Sequence, residues 1–194
     1  MLKVTSNVEQ VRYRLGAWVS KVGGAGRRQL YSAAANAVSI IVRHHLRQLG
    51  SWRHRSAQEL GAQPTGVLGK AATRTTWRAS TDSGEVLIPT PAVRRAFHDV
   101  EIRPRNSKAL TIPAAPEAYG KRAAVLAALG WRIFRPGKAK ILKGRLSKDE
   151  APKVLYYLKE SVNQPQDRSL LPSDEEINST AAAAMMSVLR AAAR

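Results

Sequence analysis

The sequence predicts a single-domain α+β protein, with helices at both ends and a small, mostly antiparallel sheet between them. Three observations predict this class: apolar residues at helical spacing near both ends, six short β-rich runs in the middle, and turn sequences between these runs. A chain of 194 residues is long enough for one core. We divide it into a helical hairpin (1–50), a long extended arm (51–83), a sheet (84–163) and a C-terminal helix (172–191).

The first 50 residues predict two antiparallel helices joined by a glycine turn. Apolar residues at helical spacing predict the first helix over residues 8–22, and the sequence GGAG at residues 23–26 is expected to end it. The second helix is predicted from about Arg28 to Leu49, and Gly50 is expected to end it. Its apolar stripe consists of Leu30, Ala34, Val38, Ile41, His45 and Leu49.

Residues 51–83 show no sustained period and are rich in Gly, Ser, Thr and Arg. A segment of this length without regular structure is uncommon inside a compact domain, and it is usually functional or ordered only on binding. We therefore interpret these residues as an extended arm or flap, with a short strand near Thr75–Arg78.

Six runs rich in β-branched and aromatic residues predict the sheet. The hairpin-like sequence RPGKAK (residues 135–140) separates two of them. Short helical segments are predicted after Pro91 and over Pro116–Leu129, the latter ended by Gly130. The six predicted strands are residues 85–89, 100–103, 109–112, 131–134, 139–142 and 154–158.

The final helix begins with a capping box. Ser173 follows Pro172 and precedes Glu176 by three residues, and acidic residues in the first turn suit the helix macrodipole. The apolar stripe of this helix consists of Ile177, Ala181, Ala184, Met185, Val188 and Leu189.

The charge of the chain is large and unevenly distributed, with a net value of +18. Residues 10–58 contain nine Lys or Arg and no Asp or Glu, and residues 118–148 again contain nine and none. Residues 151–194 contain five of each sign. Such a field favours a polyanionic partner, nucleic acid above all, and a basic surface kept for solubility is the alternative.

The residue pattern predicts no catalytic site, no metal site and no cofactor, so we expect a protein that is not an enzyme. The chain has no Cys, which excludes thiolate zinc sites and cysteine nucleophiles. His44 and His45 are adjacent and point about 100° apart on a helix, so they cannot ligate one metal together. His45 lies on the apolar stripe and is expected to be a hydrogen-bonded core residue. His98 and Asp99 would point to opposite faces of a strand.

Four segments occur in an order that resembles a known family. They are RHHLRQL (43–49), IRPRNSKALTIP (102–113), PEAYGKR (116–122) and DRSLLPSDEEI (167–177). In this order they resemble the head–tail joining proteins of tailed bacteriophages, which are also called virion morphogenesis, tail-completion or neck proteins. The resemblance covers roughly the whole chain. It departs from the family at AFHDVEI (96–102), where the family commonly has a glycine pair.

The resemblance implies a structural virion protein of the neck or tail, assembled in the host cytoplasm. Such a protein would form a ring, a hexamer or a dodecamer, around the DNA channel. Its expected partners are itself, the portal or adaptor, the tail-tube or tail-terminator proteins, and the packaged DNA through non-specific contacts. No membrane partner is expected, because no apolar run reaches the ~18 residues needed to cross a bilayer.

Two sets of residues are the candidate sites under this interpretation, and Arg132 is interpreted as a residue on the sheet surface. The candidates for facing the DNA channel are Arg27, Arg28, Arg53 and Arg55. The candidates for the subunit interface are Trp52, Trp77, Leu110, Ile112 and Tyr119. The alternative function is a free-standing, sequence-independent nucleic-acid-binding protein, in which the two tryptophans would stack on bases.

Overall fold

The computed structural model describes residues 3–4, 23–52, 58–63 and 65–192, and it confirms the α+β class. Four α-helices occur among these residues: α1 (Gly24–Trp52), α2 (Val67–Arg74), α3 (Ala123–Ala128) and α4 (Asp174–Ala192). The same part of the chain contains nine strands: β1 (Lys3–Val4), β2 (Thr76–Ala79), β3 (Gly84–Leu87), β4 (Val100–Ile102), β5 (Leu110–Pro113), β6 (Arg132–Phe134), β7 (Ile141–Arg145), β8 (Lys153–Lys159) and β9 (Val162–Gln164).

The chain divides into two compact units, which differs from the single domain that the sequence predicts. Unit 1 contains the described residues of 1–50, 67–98 and 167–194, and unit 2 contains those of 51–66 and 99–166. Each unit therefore combines segments that are distant in the sequence. Hydrophobic periodicity identifies helices and strands, but it does not report which distant segments share a core.

Helix α1 supplies buried residues to both hydrophobic clusters of unit 1. The predicted stripe is largely correct, because Leu30, Ala34, Val38 and Leu49 are buried. Val42 and Leu46, which the stripe did not include, are fully buried, while the predicted Ile41 and His45 are only partly buried. Over residues 41–46 the buried face is therefore displaced by one residue from the predicted stripe.

Gly50 does not end α1, so that predicted stop is wrong, and α1 begins at Gly24 rather than near Arg28. Gly24–Gly26 form its first turn, and Gly50 lies inside its last turn. A Cβ atom at position 50 would lie 3.2 Å from the backbone nitrogen of Gly69, so this glycine permits the close approach of α1 and α2. The helix predicted over residues 8–22 lies outside the described residues.

Residues 67–79 are folded rather than extended, in contrast to the arm predicted for residues 51–83. Helix α2 buries Leu68, Ala71 and Ala72 in the same cluster as α1, and β2 pairs antiparallel with β3. Strand β2 confirms the short strand predicted near Thr75–Arg78. The three apolar positions of α2 are too few to reveal a helix within a stretch rich in small polar residues.

Unit 2 contains a four-stranded antiparallel sheet in the order β5-β8-β7-β6 and a separate antiparallel pair, β4 with β9. Each of the six predicted strands overlaps an observed one, and β6 and β7 form the predicted hairpin, with Gly137 at φ +55° in its turn. β1 and β9 are missed because strands of two and three residues carry no readable period. A β-bulge at Leu142/Lys143 interrupts the pairing of β7 with β8.

The short helical elements lie where the Pro and Gly residues of the sequence predict them, with one difference. Gly120, at φ +70°, divides the helix predicted over Pro116–Leu129 into a 3₁₀ turn (Pro116–Ala118) and α3. Another 3₁₀ helix follows Pro91, as expected. At the start of α4, the Ser173 hydroxyl accepts a hydrogen bond of 3.1 Å from the Glu176 backbone N–H, as the capping box requires.

We expect the Gly84→Ala variant to be less stable than the native chain. A Cβ atom at position 84 would lie 2.8 Å from the Tyr31 carbonyl oxygen and 3.1 Å from the Ala35 Cβ, so β3 would be forced away from α1. The expected loss in the free energy of unfolding is about 1–3 kcal/mol, measured by urea denaturation.

The matched control is Gly69→Ala within α2. An added Cβ there contacts nothing within 4 Å, and alanine favours the helix by about 0.5–1 kcal/mol over glycine. This variant should therefore be more stable than the native chain. Equal stability of the two variants would contradict the close contact between β3 and α1.

Candidate binding surfaces

The arginines predicted to face DNA lie at the start of α1 or outside the described residues. Arg28 is exposed in the second turn of α1, and Arg27 beside it is partly buried. The Arg27 Nε atom is buried and has no hydrogen-bond partner in the described part of the chain. Arg53 and Arg55 lie outside that part. Of the two described members of this set, Arg28 is therefore the more accessible to a large ligand.

The residues predicted for a subunit interface fall on separate elements. Trp77 is 38% exposed on β2, an edge strand of the sheet β1-β3-β2. Leu110 and Ile112 are partly buried and share one face of β5, since they are two residues apart. Tyr119 is partly buried after the 3₁₀ turn. Of Trp52 only the backbone, at the end of α1, is described. The structure therefore brings Leu110 and Ile112 together.

Some of the described histidines and carboxylates have defined structural partners. His45 Nε2 donates a hydrogen bond of 3.0 Å to the Ser169 carbonyl, which makes it a structural residue as predicted. The buried Glu85 carboxylate pairs with Arg78 Nε across β2 and β3 at 2.5 Å. In the described ranges, no group of three or more His, Asp or Glu side chains is placed to hold a metal ion.

The four-stranded sheet of unit 2 uses one of its faces for its own core. Leu142 and Tyr156 are paired across β7 and β8, and both pack in the cluster that includes Leu126 of α3. Since side chains alternate along a strand, Ile141 and Tyr157 project from the opposite face, which we call the outer sheet face. The pairing of β5 with β8 places Ile112 on this face, next to Tyr157.

Alternation along β6 and β7 determines which of their residues reach the outer sheet face, because the register shift places its extra residue, Leu155, on β8. Ile133 packs on the core, and a Cβ atom at Gly144 would collide with the Leu155 side chain, so both positions face inward. Their neighbours project outward, including Lys143, which pairs with Val154 across the bulge. The outer sheet face consists of Leu110, Ile112, Arg132, Phe134, Ile141, Lys143, Arg145, Val154, Tyr157 and Lys159.

The outer sheet face carries four cations and, along these described strands, no carboxylate. Arg145 Nη1 donates a hydrogen bond of 3.0 Å to the Lys148 carbonyl. The other three cations (Arg132, Lys143 and Lys159) form no ion pair within the described part of the chain. Two aromatic side chains lie among the cations: Tyr157 is 49% exposed and Phe134 is 41% exposed. Such a surface suits an anionic ligand that also presents apolar groups.

Sequence reasoning missed most of this surface. Its only charged member identified in advance is Arg132, which is exposed on β6 as predicted. Alternation along β8 was a usable signal, because Tyr157 and Lys159 are two residues apart. The register shift opposite Leu142/Lys143 makes Leu155 an extra residue of β8 and disrupts the period of two there, so the outward position of Val154 could not be inferred from the sequence.

A second polar cluster lies at the rim of the unit 2 core. Lys153 Nζ lies 5.0 Å from the centroid of the Trp131 ring and pairs with the Glu117 carboxylate. The hydrogen bond from Lys153 holds the pKa of Glu117 below its usual value. The Tyr156 hydroxyl donates a hydrogen bond of 3.0 Å to the Lys121 carbonyl, and burial raises the pKa of Tyr156. These contacts join the sheet to the segment before α3.

No protein-family model matches the chain, and no curated protein or solved structure is detectably similar to it. No helix in the described residues combines the length and the apolar character needed to cross a membrane.

We expect Glu117 to make the stability of the chain depend on acid pH. Because the folded-state pKa of Glu117 is lowered, its stabilisation is present above the unfolded-state pKa of about 4.3 and is lost as the pH falls through the folded-state value. The Glu117 side chain is about one-third exposed, so screening limits the effect to roughly 0.5–1 kcal/mol.

Urea denaturation at pH 7 and pH 3 measures this effect. Glu117→Gln should lower the free energy of unfolding at pH 7 and leave it almost unchanged at pH 3. The control is Glu160→Gln, because the pair of Glu160 with Lys140 is highly exposed and should contribute almost nothing. An equal loss for both variants at pH 7 would contradict the role of the Lys153–Glu117 pair.

Proposed function

We propose that this chain is a structural protein of the virion neck of a tailed bacteriophage. In this role it forms a ring around the DNA channel, joins the portal or adaptor to the tail, and catalyses no reaction. The proposal is carried by the order of the four motifs, which extends from residue 43 to residue 177 and links the chain to the head–tail joining proteins.

The charge distribution supports contact with DNA. Residues 99–166 contain fourteen basic and six acidic residues, an excess that a polyanion would neutralise. A subunit that surrounds a DNA channel needs cations that meet phosphates and does not need to read base edges. Arg28, exposed near the start of α1, is a candidate for this contact.

Exposed apolar groups on sheet edges support assembly with neighbouring proteins. β2 is an edge strand that presents Trp77, and an edge strand can pair with a strand of another chain. A large aromatic side chain at such an edge would add buried area to a subunit interface. Trp77 is therefore the described interface candidate with the clearest structural support.

Light scattering of the purified chain, at low and high salt and with and without duplex DNA, tests the proposal. We expect either a ring of six or twelve subunits of 21.2 kDa that persists at high salt, or a monomer that joins purified phage connectors or tails. Trp77→Ala should reduce the assembled mass or the joining. Ile40→Ala should not, although Ile40 is also exposed, at 55%.

The contrary outcome is a monomer that binds any duplex DNA at low salt, releases it at high salt, and ignores phage particles. That result would overturn the neck assignment and favour the free-standing nucleic-acid-binding protein, since electrostatic binding of this kind weakens steeply with salt.

A further inference from the structure

The outer sheet face of unit 2 combines exposed aromatic rings with cations, a combination that the proposed neck role does not require. Its apolar centre includes Ile112, Ile141 and Tyr157, which are adjacent across β5, β7 and β8. Phe134 lies two strands from Tyr157 and two residues further along β7, about 12 Å away at the usual strand dimensions. One extended ligand that crosses the sheet could therefore contact both aromatic rings.

The charge of the outer sheet face indicates which kind of ligand can bind it. If a second copy bound face to face to this surface, eight cations would meet, and neither outer sheet face would supply a carboxylate. Like charges that face each other oppose association. The closest carboxylate in the neighbouring depression, Glu160, is already paired with Lys140 at 3.1 Å. The occupant should therefore be anionic.

The exposed aromatic rings decide which anion fits. The outside of a nucleic-acid duplex presents phosphates, while its bases are stacked inside, so a duplex offers little to Tyr157 and Phe134. A single strand offers phosphates to the cations and unstacked bases to the rings at the same time.

We propose that the outer sheet face binds single-stranded nucleic acid without sequence preference. Tyr157 and Phe134 stack on bases, and Arg132, Lys143, Arg145 and Lys159 contact phosphates. An open depression of about 470 Å³ beside Tyr157, lined also by Lys159 and Ser161, gives a flipped-out base or sugar a place next to the ring. This activity goes beyond the proposed neck role, which needs contact with the phosphates of packaged DNA only, and its test changes residues that the light-scattering test leaves intact.

Fluorescence anisotropy of the full chain with a labelled 20-nucleotide oligothymidine, and with a duplex of the same length, tests the proposal. We expect the single strand to bind more tightly than the duplex. Tyr157→Ala and Phe134→Ala should each weaken single-strand binding by roughly tenfold, the scale of one lost base stack. Tyr157→Phe keeps the ring and should retain most of the affinity.

Two controls are matched in exposure but lie outside the outer sheet face. Val125→Ala and Leu129→Ala remove exposed apolar side chains of α3 and its C-terminus, and they should leave the affinity unchanged. Among the cations, Arg132→Gln with Lys143→Gln should reduce the slope of log K against log salt by about 1.4, as expected for two lost phosphate contacts on a single strand. Lys121→Gln with Arg122→Gln, both exposed before α3, should leave the slope unchanged.

Three results would overturn the proposal. Duplex bound as tightly as the single strand would show that the aromatic rings do not stack on bases. Equal losses of single-strand affinity for Tyr157→Ala and Leu129→Ala would show the same. Polyglutamate bound as tightly as the oligonucleotide would assign the face to an acidic protein. Because Tyr157 and Phe134 are exposed, their removal should not unfold the chain, and the circular dichroism of each variant verifies this.

Discussion

The contact between Arg43 and the Thr75 carbonyl fixes the arrangement on which unit 1 depends. Arg43 projects from the middle of α1, and its Nε and Nη2 atoms donate hydrogen bonds of 3.1 and 2.8 Å to that single oxygen. Thr75 directly follows α2, directly precedes β2, and is 1% exposed. A buried carbonyl at a helix C-terminus is costly without a donor, and a cation there also offsets the helix dipole. One side chain thus sets the position of α1 relative to both α2 and the start of the sheet.

The basic residues of the two units have different surroundings. In unit 1, Arg43 donates hydrogen bonds to a backbone carbonyl, and Arg95 pairs with Asp167 at 2.8 Å. In unit 2 the regular alternation of β7 gives Lys143 and Arg145 outward positions, while Gly144 between them meets Leu155 in the core. Alternation along the strands and the pairing of β6, β7 and β8 therefore produce the cationic face.

Three of the exposed aromatic residues lie on sheets. Trp77 is on an edge strand of the unit 1 sheet, and Tyr157 and Phe134 are on the outer sheet face of unit 2. Exposed rings at such places increase the apolar surface available to partners, and a high net charge opposes unspecific aggregation of the same surface. The proposed subunit contact and the proposed binding of a single strand therefore rely on different aromatic residues.

The sequence by itself determined the α+β class, the approximate positions of six strands, the hairpin at Gly137 and the capping box at Ser173, because each is encoded by residues within a few positions of one another. Only the tertiary structure decided that α1 continues through Gly50, that residues 67–74 form a packed helix, and that the chain forms two units. These features depend on contacts between distant segments. The same holds for the outer sheet face: its cations come from β6, β7 and β8, and the pairing of these strands places them together.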